Sequence, residues 1–243
     1  MTTSLGRLQN FYGELDAKLL LHAMIKQEFS GNIALLTSFG SDSGLLLAMV
    51  AEVDVNTPIL FLETGKHFPE TLAYGRTLEK QFGLKNVIWL KPDEEMLARI
   101  DSNGELWKTQ PNRCCWLRKV EPLNRKAEEM GLLAIITGRK RYQTPERANM
   151  NNIELDEDGM FRINPLANWS KEQQKEAIIH YNIPPHPLLA KGYLSIGCEP
   201  CTLPVKEGQD ERAGRWAHTI GVDENQKTEC GIHLPSSDMN WSV

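Results

Sequence analysis
No stretch of this chain approaches the roughly 20 consecutive apolar residues that a membrane-crossing helix needs, which argues against a helical membrane protein. Met1 to Asn10 lacks the charged-then-apolar organisation of a secretory leader, so the expected location is the cytoplasm. An excess of positive charge is missing too. With 27 Lys and Arg against 32 Asp and Glu, the net charge is -5 over 243 residues, which argues against a nucleic-acid polyelectrolyte. Aromatic residues make up only 7%, and no tract interleaves them with basic ones, so a stacking surface for nucleic acid is not expected either. Internal repeats and low-complexity tracts are absent.

Cysteine is scarce, with five in the chain, but their arrangement is one that chance rarely produces. Cys114 and Cys115 are adjacent, Cys198 and Cys201 form a Cys-x-x-Cys, and Cys230 stands alone near the C-terminus. In a reducing cytoplasm a structural disulfide is a poor reading of Cys-x-x-Cys, and metal binding or redox chemistry a better one. Four thiolates can close a tetrahedral zinc site or hold a cubane iron–sulfur cluster, so the count divides into four ligands and one thiol left over. A leftover thiol near cations is a candidate nucleophile, because the thiolate is the reactive form and positive neighbours lower its pKa from about 8.5.

Apolar, strand-like runs at Asn32 to Phe39, Pro58 to Thr64, Asn86 to Lys91 and Leu132 to Thr137 alternate with longer amphipathic segments. Helices are predicted over Leu15 to Phe29, Ser43 to Val53, Pro69 to Phe82, Trp116 to Met130 and Lys171 to Tyr181. The last has Ser170 before it and Gln173 three residues on, the spacing of a capping box. The alternation predicts an α/β fold, a mostly parallel sheet flanked by helices, with ligands at the carboxyl ends of the strands. After Tyr181 the run Asn182-Ile-Pro-Pro-His-Pro187 cannot continue a helix. Residues 1–204 are read as one nucleotide-binding domain, and 205–243 as an extended, mobile tail that carries Cys230.

Two loops at the expected ligand edge carry chemistry. Ser38-Phe39-Gly40-Ser41-Asp42-Ser43 places small residues between a strand and a helix, where backbone N–H groups, hydroxyls and the helix dipole favour an anion. Ordinary turn and cap chemistry uses the same residues. The stretch Thr137 to Arg147 clusters four basic side chains just past a strand, suited to phosphate or sulfate, or simply to a solvated basic loop.

The phosphate loop resembles that of the adenine nucleotide alpha hydrolase superfamily, with Phe39 replacing one glycine. Taken with Leu62-Glu63-Thr64-Gly65, Cys114-Cys115-Trp-Leu-Arg118-Lys119, Thr137 to Arg147, Gly197-Cys198-Glu-Pro-Cys201, Arg212-Ala-Gly-Arg215-Trp216 and Glu229-Cys230-Gly231-Ile232-His233, the chain resembles the assimilatory sulfonucleotide reductases over most of its length. The Cys-Cys and Cys-x-x-Cys make it most similar to the thioredoxin-dependent adenylylsulfate (APS) reductases. The phosphoadenylylsulfate (PAPS) reductases lack both pairs.

The resemblance implies a Rossmann-like fold and one [4Fe-4S] cluster on Cys114, Cys115, Cys198 and Cys201. It implies a nucleophile at Cys230, supported by His233, and Lys119 as a cation between cluster and substrate. Lys119 also lies one helical turn beyond Cys115, which would return it to the same face. The implied substrate contacts are Ser38, Phe39, Gly40, Ser41, Ser43, Leu62, Thr64, Gly138, Arg141, Gln143, Arg147, Arg212 and Arg215. The implied reaction is reduction of APS to sulfite and AMP in sulfate assimilation and cysteine biosynthesis, through an S-sulfocysteine that thioredoxin or glutaredoxin discharges. Assembly into a homo-oligomer is compatible with the sequence.

Three features depart from the family pattern: Glu63 where Asp is usual, Asp42 where many reductases have Glu, and a longer stretch between Arg215 and Cys230. Asp42 keeps an iron–sulfur enzyme that cleaves ATP as one alternative, though it leaves the Glu-Cys-Gly-Ile-His segment unexplained. PAPS or dual APS/PAPS reduction is another. A zinc-stapled nucleic-acid module is disfavoured by the acidic balance and by the strain of placing adjacent cysteines on one zinc.

Overall fold
The computed structural model describes residues 4–217 and 231–233. Six strands form one sheet: β1 Ile33–Thr37, β2 Ile59–Leu62, β3 Val87–Leu90, β4 Ala134–Ile136, β5 Ile153–Leu155 and β6 Phe161–Ile163. Their order is β3-β2-β1-β4-β6-β5, and all neighbours are parallel except the edge pair β5 and β6. This is the expected α/β architecture with one antiparallel edge strand.

Side chains alternate between the two faces because successive residues of a strand point to opposite sides. Ile33, Leu35, Ile59 and Phe61 join one buried cluster with Leu8, Leu20 and Leu45. Ala34, Leu36, Leu60 and Leu62 join the other with Leu123 and Ala127. Strands β2, β3 and β4 are apolar throughout and β1 is apolar up to Thr37, since helices cover both faces there.

The helices are α1 Leu5–Tyr12, α2 Ala17–Ala23, α3 Ser43–Val53, α4 Pro69–Gln81, α5 Glu94–Ile100, α6 Leu106–Thr109, α7 Pro111–Cys115, α8 Glu121–Glu129 and α9 Lys171–His180. Two predicted helices are interrupted by π-helical turns. The first runs on from α2 as Met24–Glu28, and Trp116–Val120 joins α7 to α8. The second helix therefore starts at Pro111, not Trp116, because proline suits the first helical position. The capping box of α9 is made as expected, with Gln173 N–H donating to Ser170 Oγ at 3.2 Å and Ser170 N–H to Gln173 Oε1 at 2.8 Å.

From β1 the chain moves outward through β2 and β3, then returns to place β4 on the other side of β1. Loops at the carboxyl ends of β1 and β4 thus diverge around a crevice, the position where open α/β sheets bind ligands. Residues 205–217 stay against this body. Leu203 N–H donates to Gly214 O at 2.9 Å and Trp216 N–H to Cys201 O at 3.0 Å. Of the segment read as a tail, residues 218–230, which include Cys230, and 234–243 lie outside the described residues.

Candidate active site
The crevice opens into a cavity of about 260 Å³. Its floor is the loop after β1. Ser38 and Ser43 hydroxyls lie 3.5 Å apart, Gly40 N–H donates to Ser38 Oγ at 3.3 Å, and Ser41 Oγ donates to Leu194 O at 3.1 Å. Ser38, Gly40, Ser41 and Ser43 all line the cavity beside the start of α3. Asp42 is the N-cap of α3 but makes no cap bond, because its carboxylate accepts the Lys140 ammonium at 3.0 Å. That pair ties the β1 loop to the β4 loop.

Phe39 lies elsewhere. Its backbone takes the left-handed φ of 46°, a conformation that favours glycine, and its ring is fully buried. The ring centroid lies 4.7 Å from Phe61 and 5.9 Å from Trp89. A Cβ at Gly75 would come within 2.6 Å of it. Phe39 therefore sets the shape of the loop from beneath rather than lining the cavity. The aromatic packing compensates for the strain that a non-glycine residue carries there.

The β4 loop contributes Gly138, Gln143 and Arg147 to the wall. Gln143 Oε1 accepts from Lys140 N–H at 3.0 Å and from Arg147 Nη1 at 2.5 Å. Arg141 points away: its Nε donates to Met150 O at 2.7 Å, and Arg139 lines the cavity instead. Arg139 Nη2 is held by Glu154 at 2.9 Å and Asn164 at 3.1 Å. Arg212 and Arg215 enter from the segment after the Cys-x-x-Cys. The Arg215 guanidinium lies 4.4 Å from the centre of the Trp216 ring, and its buried Nε has no hydrogen-bond partner among the described residues. Gly197 makes room for it, since a Cβ there would fall 2.4 Å from Nη2. Arg215 as a whole is half-buried, and its Nη1 donates to Ser195 Oγ at 3.4 Å, so its charge is held at the cavity wall.

At the opposite end sit the thiols. Cys114 and Cys115 end α7, and Cys198 and Cys201 bracket the 3-10 turn Glu199–Cys201. All four are buried. Burial pushes the Cys114 thiol up to about 11 and Cys201 up to about 12, with Cys198 adding to the rise in both and Lys119 opposing it. Lys119, in the π turn, also lines the cavity next to Leu62, so one cation serves both thiols and crevice.

The scaffold around these thiols is dense. Thr64 is buried with its hydroxyl 3.3 Å from Cys198 Sγ, so it faces the thiols and not the cavity. Thr202 Oγ1 donates to Cys198 O at 2.8 Å. Arg118 donates to Thr64 O at 2.8 Å and to Asp101 at 2.5 Å, both partners of that ion pair being buried. His67 pairs through its backbone with Cys198, and its Nε2 donates to Leu62 O at 2.8 Å, which fixes the ring tautomer. Burial pulls its pKa down to about 4.

Among the described residues, no three His, Cys, Asp or Glu side chains lie at metal-holding spacing. The donor set nevertheless suits a thiolate-ligated centre. All four sulfurs are buried, Lys119 acts on Cys114 and Cys201, and such thiols ionise readily only when a metal offsets their desolvation.

Gly231, Ile232 and His233 form a short 3-10 turn that packs against Trp116–Val120. Gly231 is buried and Ile232 lines the cavity. Cys230 itself lies outside the described residues. Sequence reasoning had not placed His67, Arg139, Lys140 or Tyr142 at the site. Arg139 and Lys140 stood within the basic run, but which of its cations turn inward depends on Glu154, Asn164 and Asp42, all remote in sequence.

The phosphoadenosine phosphosulfate reductase domain matches residues 32–204. An adenosine 5'-phosphosulfate reductase of Mesorhizobium japonicum is 44% identical, the alignment covering 96% of this chain and 88% of that protein. The adenosine 5'-phosphosulfate reductase 2 of Bacillus subtilis is 37% identical over 84% of each. A phosphoadenylyl-sulfate reductase of Candida auris, solved as a phosphate complex, superposes with a TM-score of 0.71 at 28% identity, covering 84% of this chain and 99% of that one. With its phosphate-loop crevice, its inward-facing arginines and a domain match over most of its length, the chain belongs to the phosphoadenosine phosphosulfate reductase domain family.

Proposed function
We propose that this protein reduces adenosine 5'-phosphosulfate to sulfite and AMP in sulfate assimilation. The observation that carries this reading is the shared cavity: a floor of small and hydroxyl residues at the start of α3, a wall that includes Arg147, Arg212 and Arg215, and Lys119, which lines the cavity and acts on the buried thiols of Cys114 and Cys201. The names of the most similar relatives support it.

The phosphosulfate is a compact dianion. Backbone N–H groups and hydroxyls of Ser38 to Ser43 suit its phosphate, and Lys119, Arg147, Arg212 and Arg215 neutralise charge on the sulfonyl and phosphate oxygens as the bond between them breaks. The Cys230 thiolate attacks sulfur, the S–O bond breaks with its electrons passing to the phosphate, and AMP leaves. His233 supports the thiolate or the sulfate in the same arrangement. A thiolate of thioredoxin or glutaredoxin then attacks the cysteine sulfur of the S-sulfo adduct. Sulfite departs with the S–S electron pair, and the second reductant thiol resolves the mixed disulfide. The two electrons come from the dithiol.

Cys114, Cys115, Cys198 and Cys201 would hold a [4Fe-4S] cluster. Bound there, it would join two loops and set the local charge that Lys119 offsets. The protein works in the cytoplasm, and a homo-oligomer is compatible with this chemistry.

Anaerobically purified protein should be brown with four irons per chain; one zinc in a colourless preparation would sink the cluster assignment. Incubation with APS and no reductant should release AMP and add one sulfonate to the peptide containing Cys230. If Cys230→Ser still turned over with thioredoxin, the mechanism would be wrong. A PAPS reductase of Emericella nidulans, 39% identical over 83% of this chain, keeps PAPS as a second substrate to be tested by competition. Pyrophosphate release from ATP would point instead to adenylating chemistry.

A further inference from the structure
The capping box that opens α9 fixes a turn from which two side chains reach the walls of the cavity. Lys171, the first residue of the helix, donates to Glu211 Oε1 at 2.8 Å, across 40 positions of the chain. Gln174, buried one turn on, accepts from the Tyr142 hydroxyl at 2.5 Å. Lys171, Tyr142 and Glu211 all line the cavity, and the Lys171 ammonium lies 5.5 Å from the centre of the Tyr142 ring. One helical turn thus touches both cation-bearing walls, the β4 loop with Arg147 and the segment with Arg212 and Arg215.

The second wall is a loop fastened at its two ends. It leaves the body at Val205, whose N–H donates to Gly192 O at 3.0 Å, and rejoins it at Gly214, whose carbonyl accepts from Leu203 N–H at 2.9 Å. In between, Gln209 N–H donates to Lys206 O at 3.1 Å and Ala213 N–H to Asp210 O at 3.0 Å, turns that shape the loop without attaching it. Glu211 directly precedes Arg212, so its ion pair fixes the backbone from which that guanidinium enters the cavity. Charge alone would not put an acid here. Asp42, Asp210 and Glu211 all act on Lys171, and carboxylates at the edge of a site for a dianion oppose its binding.

We propose that Lys171 and Glu211 are positioning residues: their ion pair, built on the first turn of α9, holds the 205–217 segment so that Arg212 faces the bound phosphosulfate. This deepens the reading above and rests on it. Both side chains are about half exposed, so the pair adds little to the stability of the fold and its effect is read in substrate binding.

The sign of one substitution separates positioning from simple electrostatics. In the cluster-loaded protein with thioredoxin, Glu211→Gln and Lys171→Met should each raise KM for APS about two- to fivefold, with kcat held within about twofold. The double variant should be no worse than the weaker-binding single variant, since either change alone already opens the pair. Exchanging the charges, Lys171→Glu with Glu211→Lys, should bring KM back towards that of the unmutated protein, whereas each reversal alone should raise it further than the neutral variant does. A KM for Glu211→Gln equal to or below that of the unmutated protein would overturn the proposal, because loss of a carboxylate by itself tightens anion binding. So would a double variant whose loss is the product of the two single losses. An unmutated holoenzyme that does not turn over APS would instead sink the functional reading on which this rests.

Discussion
At the cysteine end of the cavity, Arg118 is enclosed with Asp101, neither reaching solvent to any extent, and the same guanidinium holds Thr64 next to Cys198. At the phosphate-loop end, Lys140 is equally buried, but its partner Asp42 is 44% exposed at the side chain. The difference separates two uses of charge. A fully enclosed pair must be complete or the fold suffers, because a lone charge in the interior is costly. In the second pair, loss of Lys140 is tolerated, because the surviving Asp42 can be solvated. The cysteine end is therefore held as framework, and the phosphate-loop end as an adjustable clamp between two loops.

The largest effect should follow from Asp101→Asn, which leaves the Arg118 charge uncompensated. A loss of about 3–5 kcal/mol is expected, read as a fall in Tm on the order of 10 °C, and a change under about 1 kcal/mol would erase the contrast between the ends. Acid comes next. His67 at the cysteine end and His186, buried against Tyr74 and Thr71, are both pushed down to about 4 by burial, from 6.5. Between those values the unfolded chain binds protons that the folded chain does not, so stability falls as pH drops from 6.5 to 4. For His186 the loss is of the order of 2–3 kcal/mol, measurable as the difference in denaturant midpoints between pH 7 and pH 4. His186→Gln should flatten that difference, and an unchanged pH profile would refute the assignment.

At the phosphate-loop end the effects should be smaller and kinetic. Lys140→Met should cost no more than about 1 kcal/mol in stability, while KM for the nucleotide rises about two- to tenfold and kcat holds. A collapse of stability there would make the two ends alike. Smallest of all, Ser38→Ala removes a hydroxyl that is exposed and locally bonded, with about 0.5 kcal/mol expected in nucleotide affinity by calorimetry.

Much of the framework is legible because it is local. The apolar runs that became β1 and β2, the helix at Ser43–Val53 and the capping box at Ser170 all follow from residues within a few positions of one another. Strands β5 and β6 escape such reading. Each has three residues, and Glu154 and Arg162 interrupt their apolar pattern at the middle position. The start of the helix at Pro111 was hidden by the short helices that crowd before it. At the site, the cavity brings together most of the residues the motifs single out, but Phe39, Thr64 and Arg141 face elsewhere. Their directions depend on Gly75, Cys198 and Met150, contacts far along the chain that no motif encodes.

The narrow gap between Gly197 and Arg215 couples the loop before Cys198 to the segment that follows the Cys-x-x-Cys. A side chain at 197 would need the space the guanidinium fills, so it would push Arg215 out of its place at the cavity wall. Gly197→Ala should therefore leave the fold intact and act on the cavity through a displaced Arg215.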